Sequence, residues 1–511
     1  MKRIATTLFL PLLTALSVCA QVPAGRPETA PKTKTQRYVE QVAGNDILKG
    51  AAFGVLAVKK GGATLAVRSS GQRMLPASTL KLITTGAALH RLGPDFRYET
   101  KLGYKGTVKD GVLDGDLYLI GGGDPTIASK DSMAMPRFYL FSQWKDFLDK
   151  AGIKQVKGRV IGDGRYFDGP IEKDKWSYQD IGTAYGTGGD GLSFYENALD
   201  IKVSPGASVG TPVHAIVSFP NLPWLNLTYH ALTAKAGTGD ELYLYTSDVY
   251  PFAEMRGSFA IDRKAKTEEF SNKFGAYTCA HYFCNYLKSK GIEVTGGPAD
   301  VRWGRIRVNL SDLTPGPFAA RVDDLTLLGS TASPTLLDIA RATNYKSDNF
   351  YAETLLRTLG RKFRHSASYD SSYVALNDVF RSLGVDASDV QIQDGSGLAR
   401  HDYVSPDFFV RFLSAMMESP VFGEYVGTLG RPGGRHYESR LRNEPASVKA
   451  RIHYKSGSMN GVRCFAGYIE PTTGDKEDTI VFALMANQVL AKTSQVDAIL
   501  DRIVALLASE N

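Results

Sequence analysis

Pro76-Ala77-Ser78-Thr79-Leu80-Lys81-Leu82-Ile83-Thr84-Thr85-Gly86-Ala87-Ala88-Leu89 places a serine and a lysine three residues apart at the head of an apolar run. The run predicts a helix closed by Gly93-Pro94, with Ser78 and Lys81 one turn apart on the same face. A serine hydroxyl is a weak nucleophile until a base takes its proton. A lysine can be that base once burial or a neighbouring cation lowers its pKa. The helix N-terminus adds backbone N–H groups and a positive dipole end beside the serine. The spacing alone is weak evidence: Ser142-Gln143-Trp144-Lys145 repeats it. A capping serine followed by a solvated lysine explains the same four residues.

The chain has 511 residues, enough for roughly three domains. Hydrophobic residues make up 43% and charged residues 22%, as in ordinary globular proteins. The net charge of +7 comes without a dense Lys/Arg block or an RNA-binding aromatic pattern, which argues against nucleic acid. A mild basic excess suits an anionic polymer as substrate. Lys2 and Arg3 followed by the apolar stretch Thr7 to Val18 read as a signal peptide over 1–20, cut after Ala20, which predicts a periplasmic protein. A lipoprotein signal with Cys19 acylated is the alternative, disfavoured by the large Val18 before that cysteine. No other segment has the 18 or more apolar residues of a transmembrane span. Cys279, Cys284 and Cys464 would remain after cleavage, too few and too odd in number for a disulfide framework. They read as packed apolar side chains. There is no CxxC pair and no histidine pair at zinc spacing, so neither metal nor cofactor is expected. His90 and His453 read as packing or surface residues.

Residues 21–35, rich in Pro, Lys, Thr and Ala, read as a flexible leader. Arg37 to Lys49 predicts a helix, and Ala52–Val58 and Ala63–Val67 predict a hairpin. Tyr104 to Ile120 alternates, with turns expected at Asp110-Gly111 and Asp114-Gly115. Gly121-Gly122-Gly123-Asp124-Pro125-Thr126 lacks the ending of a phosphate loop and reads as a tight structural loop. Helices are expected near Met135 to Ala151 and Asn272 to Lys290, with short strands from Ala198 to about Ile261 between them, and a short strand segment continues to Asn309. From Thr335 the pattern is helical through Leu355, then from Ser368 to Leu383. Strands are expected at Val448–Tyr454, Cys464–Ile469 and Thr479–Ala486. The last helix begins at Ser494 with a capping pairing to Asp497, and Val496, Ile499, Leu500, Ile503 and Leu507 form its apolar stripe. An α/β texture at both ends with β material between predicts a split domain carrying a long insertion.

Two downstream patterns complete the first one. Lys346-Ser347-Asp348-Asn349 precedes a helical run, and Tyr454-Lys455-Ser456-Gly457-Ser458 ends an expected strand. Ser-x-x-Lys, Ser-Asp-Asn and Lys-Ser-Gly, in that order on helix, loop and strand, form the signature of the penicillin-recognising serine acyl enzymes. The chemistry explains the set. Ser78 attacks a peptide carbonyl while Lys81 takes its proton. Ser347 passes a proton to the departing amine. Asn349 bonds the substrate backbone or holds Lys81. Lys455 is a fixed cation for a terminal carboxylate, and its charge helps keep Lys81 neutral. Ser456 adds a hydroxyl to that carboxylate, and the backbone N–H groups of Ser78 and Ser458 form the oxyanion hole. The strand through Gly457 pairs with an extended substrate.

With these motifs the chain resembles the class C low-molecular-mass penicillin-binding proteins, the penicillin-binding protein 4-like D-alanyl-D-alanine carboxypeptidase/endopeptidases. Further matches are Asp116-Leu117-Tyr118-Leu119 running into Gly123-Asp124-Pro125-Thr126, Trp176 with Asp180, and Asp394-Gly395-Ser396-Gly397-Leu398-Ala399-Arg400. Ser347 lies 269 positions beyond Ser78, too far for an ordinary β-lactamase. The resemblance implies an α/β (α+β) fold: a split serine β-lactamase/transpeptidase-like domain with two nested inserted domains, the innermost mainly β. The boundaries expected are 36–98 with 335–511 for the catalytic domain, 99–190 with 269–334 for the second, and 191–268 for the nested third. It implies cleavage of D-Ala–D-Ala in peptidoglycan stem peptides or of their cross-links, and β-lactams as covalent inhibitors. It also implies side-chain recognition by Asp180 and Arg400, with Asp180 meeting the ammonium of a diamino acid. Two rivals stand against this. A serine β-lactamase could take Tyr195-Glu196-Asn197 as its second motif, although that triplet precedes a β-rich stretch. A non-catalytic wall-binding protein would not need the complete set of nucleophile, base and clamp residues.

Overall fold

The computed structural model describes residues 31–301, 324–437 and 439–510. The expected signal peptide, Cys19 and most of the leader lie outside the described residues, as does the end of the strand segment expected to reach Asn309. Among the described residues, no helix is long and apolar enough to cross a membrane.

Both ends of the chain build one sheet. Its antiparallel order is Ile452–Met459, Val462–Ile469, Ile480–Asn487, Ala52–Lys59 and Thr64–Arg68. Side chains alternate across a strand, so each strand feeds two cores. Phe465, Phe482, Leu484, Phe53 and Val55 face the helices Lys34–Ala43 and Thr493–Ser509. Cys464, Ala466, Tyr468, Val481 and Met485 face the other way, toward the helices Leu80–Leu92, Leu336–Lys346, Asn349–Arg364, Tyr369–Ser382 and Pro406–Met416. Helix Leu80–Leu92 is buried from Leu80 to Leu89, all the way round, as expected of a helix at the centre of a core.

Several local expectations change. The first helix starts at Lys34, inside the segment read as leader, because Thr33 Oγ1 accepts from Gln36 N at 2.9 Å. It ends at Ala43, before Gly44. Glu510 at the other end of the chain accepts from Lys34 N and from Thr35 Oγ1. The helix from Thr335 is broken at Ser347, which is left-handed with φ 60°. Pro406–Met416, started by Ser405 and a first-turn proline, is a helix not among those expected. Residues Ala446–Ala450 are helical rather than extended. Asp497 does not cap the last helix; it pairs with Arg463 at 2.9 Å and Arg440 at 3.1 Å. The stripe from Val496 to Leu507 is buried as expected.

Strands Glu99–Lys109 and Thr326–Ala332 run antiparallel side by side, and Ser333 N donates to Tyr98 O at 3.0 Å. The chain therefore leaves and re-enters the first body at one place. Between these strands a mixed sheet packs against the helices Arg137–Lys150 and Gly275–Ser289 around Phe141, Trp144 and Phe283. Cys279 and Cys284 are buried in that core. Two further small sheets, from Ala198 to Ser271, enclose a separate core with Leu199, Trp224, Met255 and Phe259. The expected turn at Asp110-Gly111 is present, but Asp114-Gly115 lies inside strand Val112–Ile120. There Gly115 pairs with Gly106, whose φ is 135°. A Cβ on Gly106 would sit 2.2 Å from Asp114 O. Gly106→Ala is therefore expected to lower stability by about 1–3 kcal/mol in urea unfolding, with unchanged strand content by circular dichroism.

Candidate active site

Ser78 sits in the 3-10 turn Ala77–Thr79 that leads into helix Leu80–Leu92. One turn on, Lys81 has no exposed surface. Its Nζ donates to Ser78 Oγ at 2.9 Å, Asn349 Oδ1 at 2.6 Å and Ser396 O at 2.9 Å. An ammonium has three donors, and here three segments of chain supply one acceptor each. Burial lowers the Lys81 pKa from its usual 10.5 to about 8, opposed by the carboxylates of Asp394, Glu353 and Asp348.

Ser347, Asp348 and Asn349 form the hinge between two helices. Ser347 ends the first in a left-handed conformation, and Asp348 caps the second by accepting from Tyr351 N at 2.9 Å. Asn349 opens that second helix, with its Oδ1 on Lys81 and its Nδ2 donating to Tyr185 O at 3.0 Å. The break in the helix turns Ser347 toward Lys455, whose Nζ donates to Ser347 Oγ at 2.9 Å and Ser456 O at 2.8 Å. Burial, reinforced by Lys81, holds the Lys455 ammonium well below the usual lysine range. Desolvation of Lys81 itself lowers its pKa, rather than the Lys455 charge expected to help.

Lys455 to Ser458 lie on the edge strand Ile452–Met459. The strand runs close against the serine turn: a Cβ on Gly457 would lie 2.6 Å from Pro76 O and 3.0 Å from Ser78 N. A cleft of about 740 Å³ opens here, lined by Ser78, Ser347, Asn349, Ser456, Ser458, Asp180 and Arg400. Lys81, Lys455 and Gly457 form its buried support. Asp180 is half-buried; desolvation raises its pKa and the Arg400 charge opposes this. Tyr185 and Tyr243, neither singled out in the sequence, also line the cleft. Tyr243 comes from strand Asp240–Thr246 in the innermost β region.

Other residues missed by sequence reasoning lie one layer deeper. Glu353 follows Asn349 by one helical turn and is completely buried. It accepts from Gly395 N at 3.1 Å and from Tyr369 Oη at 3.1 Å. Asp394, also completely buried, accepts from Gly397 N at 2.7 Å, Ala399 N at 2.7 Å and Trp176 Nε1 at 2.9 Å. Together they shape the loop whose Ser396 carbonyl receives Lys81. Burial and the Asp394 charge push Glu353 up to about 8. The Glu353 position had a signal, four residues after Asn349 on a helix, but nothing in the sequence said that this face was buried.

The other sequence candidates lie elsewhere. In Ser142-Gln143-Trp144-Lys145, Trp144 is buried in the core of the mixed sheet and Lys145 pairs with Asp149 at 2.6 Å. Glu196 of Tyr195-Glu196-Asn197 accepts from Ser129 Oγ at 2.6 Å and does not line the Ser78 cleft. His90 bonds Ser419 and His453 faces Glu470 at 2.8 Å. Glu353→Ala would leave two buried donors without acceptors, at about 1–3 kcal/mol each. Thermal unfolding is expected to show a loss on that scale, larger than for Glu424→Ala on the short helix Phe422–Val426.

Residues 35–510 match the peptidase S13 family, described as the D-Ala-D-Ala carboxypeptidase 3 family. A D-alanyl-D-alanine carboxypeptidase from Actinomadura sp. (strain R39) is 26% identical over 94% of this chain and 86% of its own length. The crystal structure of penicillin binding protein 4 (dacB) from Haemophilus influenzae superposes with a TM-score of 0.75 at 22% identity, over 92% of this chain and 98% of that one. The same Haemophilus protein complexed with a β-lactam superposes with a TM-score of 0.71 at 22% identity, over the same shares.

Proposed function

The chain belongs to the peptidase S13 family and is a serine-type D-Ala-D-Ala carboxypeptidase; from that premise we propose that it cuts D-Ala–D-Ala ends or cross-links of peptidoglycan stem peptides through an acyl-enzyme on Ser78. The observation that carries this reading is the buried Lys81 ammonium 2.9 Å from Ser78 Oγ. At a pKa of about 8, roughly one Lys81 in ten is neutral at pH 7, against about one in three thousand for a lysine at 10.5. Neutral Lys81 takes the Ser78 proton as Oγ attacks the carbonyl of the penultimate D-Ala. The N–H groups of Ser78 and Ser458 stabilise the oxyanion, each donor worth about 3–4 kcal/mol in related acyl transfers. The proton passes through Ser347 to the departing amine, the C–N bond breaks, and water later hydrolyses the ester. Lys455 and Ser456 hold the terminal carboxylate, and the open edge of the strand pairs with the peptide backbone.

Asp180 and Arg400, with Tyr243 beside them, form the wall for the substrate's side chain. A diamino acid suits this wall, its ammonium toward Asp180. The division into a catalytic domain (36–98 with 335–511), an inserted domain (99–190 with 269–334) and a nested domain (191–268) belongs to the same reading, supported by the separate cores of those regions. A periplasmic location follows from the substrate and from the apolar N-terminus.

Labelled penicillin is expected to add covalently to Ser78, with peptide mass mapping locating the adduct. A Ser78→Ala protein that still labels would refute the assignment. Rapid penicillin hydrolysis would instead favour a β-lactamase, and no labelling at all a wall-binding protein. The acylation rate is expected to fall about tenfold per pH unit below the Lys81 pKa of about 8, because only the deprotonated amine accepts the Ser78 proton. Asp180→Ala is expected to raise KM for stem peptides with a free diamino-acid ammonium about tenfold, leaving penicillin acylation within about twofold. With purified muropeptides, free D-Ala from pentapeptides marks a carboxypeptidase and monomers from cross-linked dimers an endopeptidase.

A further inference from the structure

A second concave surface lies away from the Ser78 cleft, at the root of the two strands that join the inserted region to the first body. Among the described residues it is a groove of about 610 Å³ whose lining includes Arg97, Lys101, Arg165, Arg361 and Lys362 against two carboxylates, Glu99 and Asp163. The surplus of three positive charges on this one groove compares with +7 for the whole chain. Arg361 and Lys362 lie near the far end of the helix whose first residue is Asn349, so Arg361 is about 18 Å from the cleft at 1.5 Å per residue.

The cations are held in place. Arg97 Nη1 donates to Ser333 O at 2.7 Å and Arg361 Nη1 to His365 O at 2.8 Å, each bond using one of the five N–H groups of a guanidinium. The Arg361 guanidinium lies 5.2 Å from the Tyr166 ring centroid and the Lys362 ammonium 5.3 Å from that of Phe96. Lys101 faces Glu99 at 3.3 Å, and Arg165 makes a two-point contact with Asp163 at 2.9 and 2.7 Å. Arg97 and Arg361 each give one N–H to the carbonyls named, and with Lys362 they set fixed positive charge along the groove, which suits a polymer carrying repeated carboxylates.

We propose that this groove is a second binding site for peptidoglycan, engaging carboxylates of stem peptides other than the one in the cleft. This rests on the functional reading above for the identity of the polymer; the groove itself is independent of Ser78. Each uncut stem ends in a carboxylate, so the intact wall offers a repeating anion that a soluble pentapeptide does not. The site would keep the enzyme on the polymer between cleavages.

The test is co-sedimentation of the full chain with purified peptidoglycan sacculi at low ionic strength. It uses a Ser78→Ala background so that the wall is not digested. Lys101→Gln/Arg361→Gln/Lys362→Gln is expected to lower the bound fraction about fivefold, and carbodiimide amidation of the sacculi to lower binding of the parent as much. Lys101→Gln/Lys362→Gln, which leaves the Arg361 bond in place, is expected to lose about twofold and serves if the triple variant is unstable. With Ser78 restored, both groove variants are expected to cleave soluble pentapeptide within about twofold of the parent. The proposal is overturned if the groove variants sediment like the parent or if amidated sacculi bind equally well. It is also overturned if Lys105→Gln/Lys109→Gln/Lys150→Gln, exposed lysines outside the groove, loses as much. Absence of pentapeptide cleavage by the parent would strike the catalytic reading alone and leave the sedimentation result standing.

Discussion

A fully buried ammonium must have its three donors satisfied, and the organisation around Lys81 meets that demand. Its acceptors are Ser78 in the turn that leads into its own helix, Asn349 at the start of a helix 268 residues away, and the Ser396 carbonyl in a loop 315 residues away. Transferring an unpaired cation out of water is prohibitive, so the three segments have to meet for the lysine to stay buried. The same desolvation that creates the demand lowers the pKa of the amine. Structural constraint and chemical reactivity therefore have one physical cause.

The acids behind the site serve this arrangement. Asp394 gathers the backbone of its own loop and the indole of Trp176, while Glu353 ties that loop to the helix carrying Asn349. The Trp176–Asp394 bond crosses between the first body and the inserted region. Arg357, almost completely buried, adds another crossing: it donates to the carbonyls of Asp168, Pro170 and Gly189. The inserted region is thus fastened to the scaffold of the cleft and presents Asp180, Tyr185 and Tyr243 along its rim.

Much of this was legible from residue order. The apolar run after Ser78 marked a helix, strand-like runs near both ends of the chain pointed to a split domain, and three short motifs named the branch of chemistry. What escaped depended on neighbours. The Ser347-Asp348-Asn349 motif was expected on a loop, but nothing in its residues said that a left-handed Ser347 would turn its hydroxyl toward Lys455. Asp497 fits a helix cap by spacing, but two arginines from other segments claim it. Asp114-Gly115 has the composition of a turn, while the opposite Gly106 makes it a close crossing of two strands. In the last two instances a local preference worth a few tenths of a kcal/mol to about 1 kcal/mol was overridden by a tertiary contact.

By itself the sequence determined the α/β texture of the two ends and the order of the reactive groups, because those depend on residue type, spacing and periodicity along one dimension; the family and the nested-domain fold followed from the resemblance that those motifs carry. Tertiary structure decided that Lys81 is dry, that Glu353 and Asp394 stand behind it, and that Tyr243 from the innermost β region reaches the cleft of Ser78. Burial and proximity between residues hundreds of positions apart are properties of the packed chain, and the lowered pKa of Lys81 exists only once that packing has excluded water.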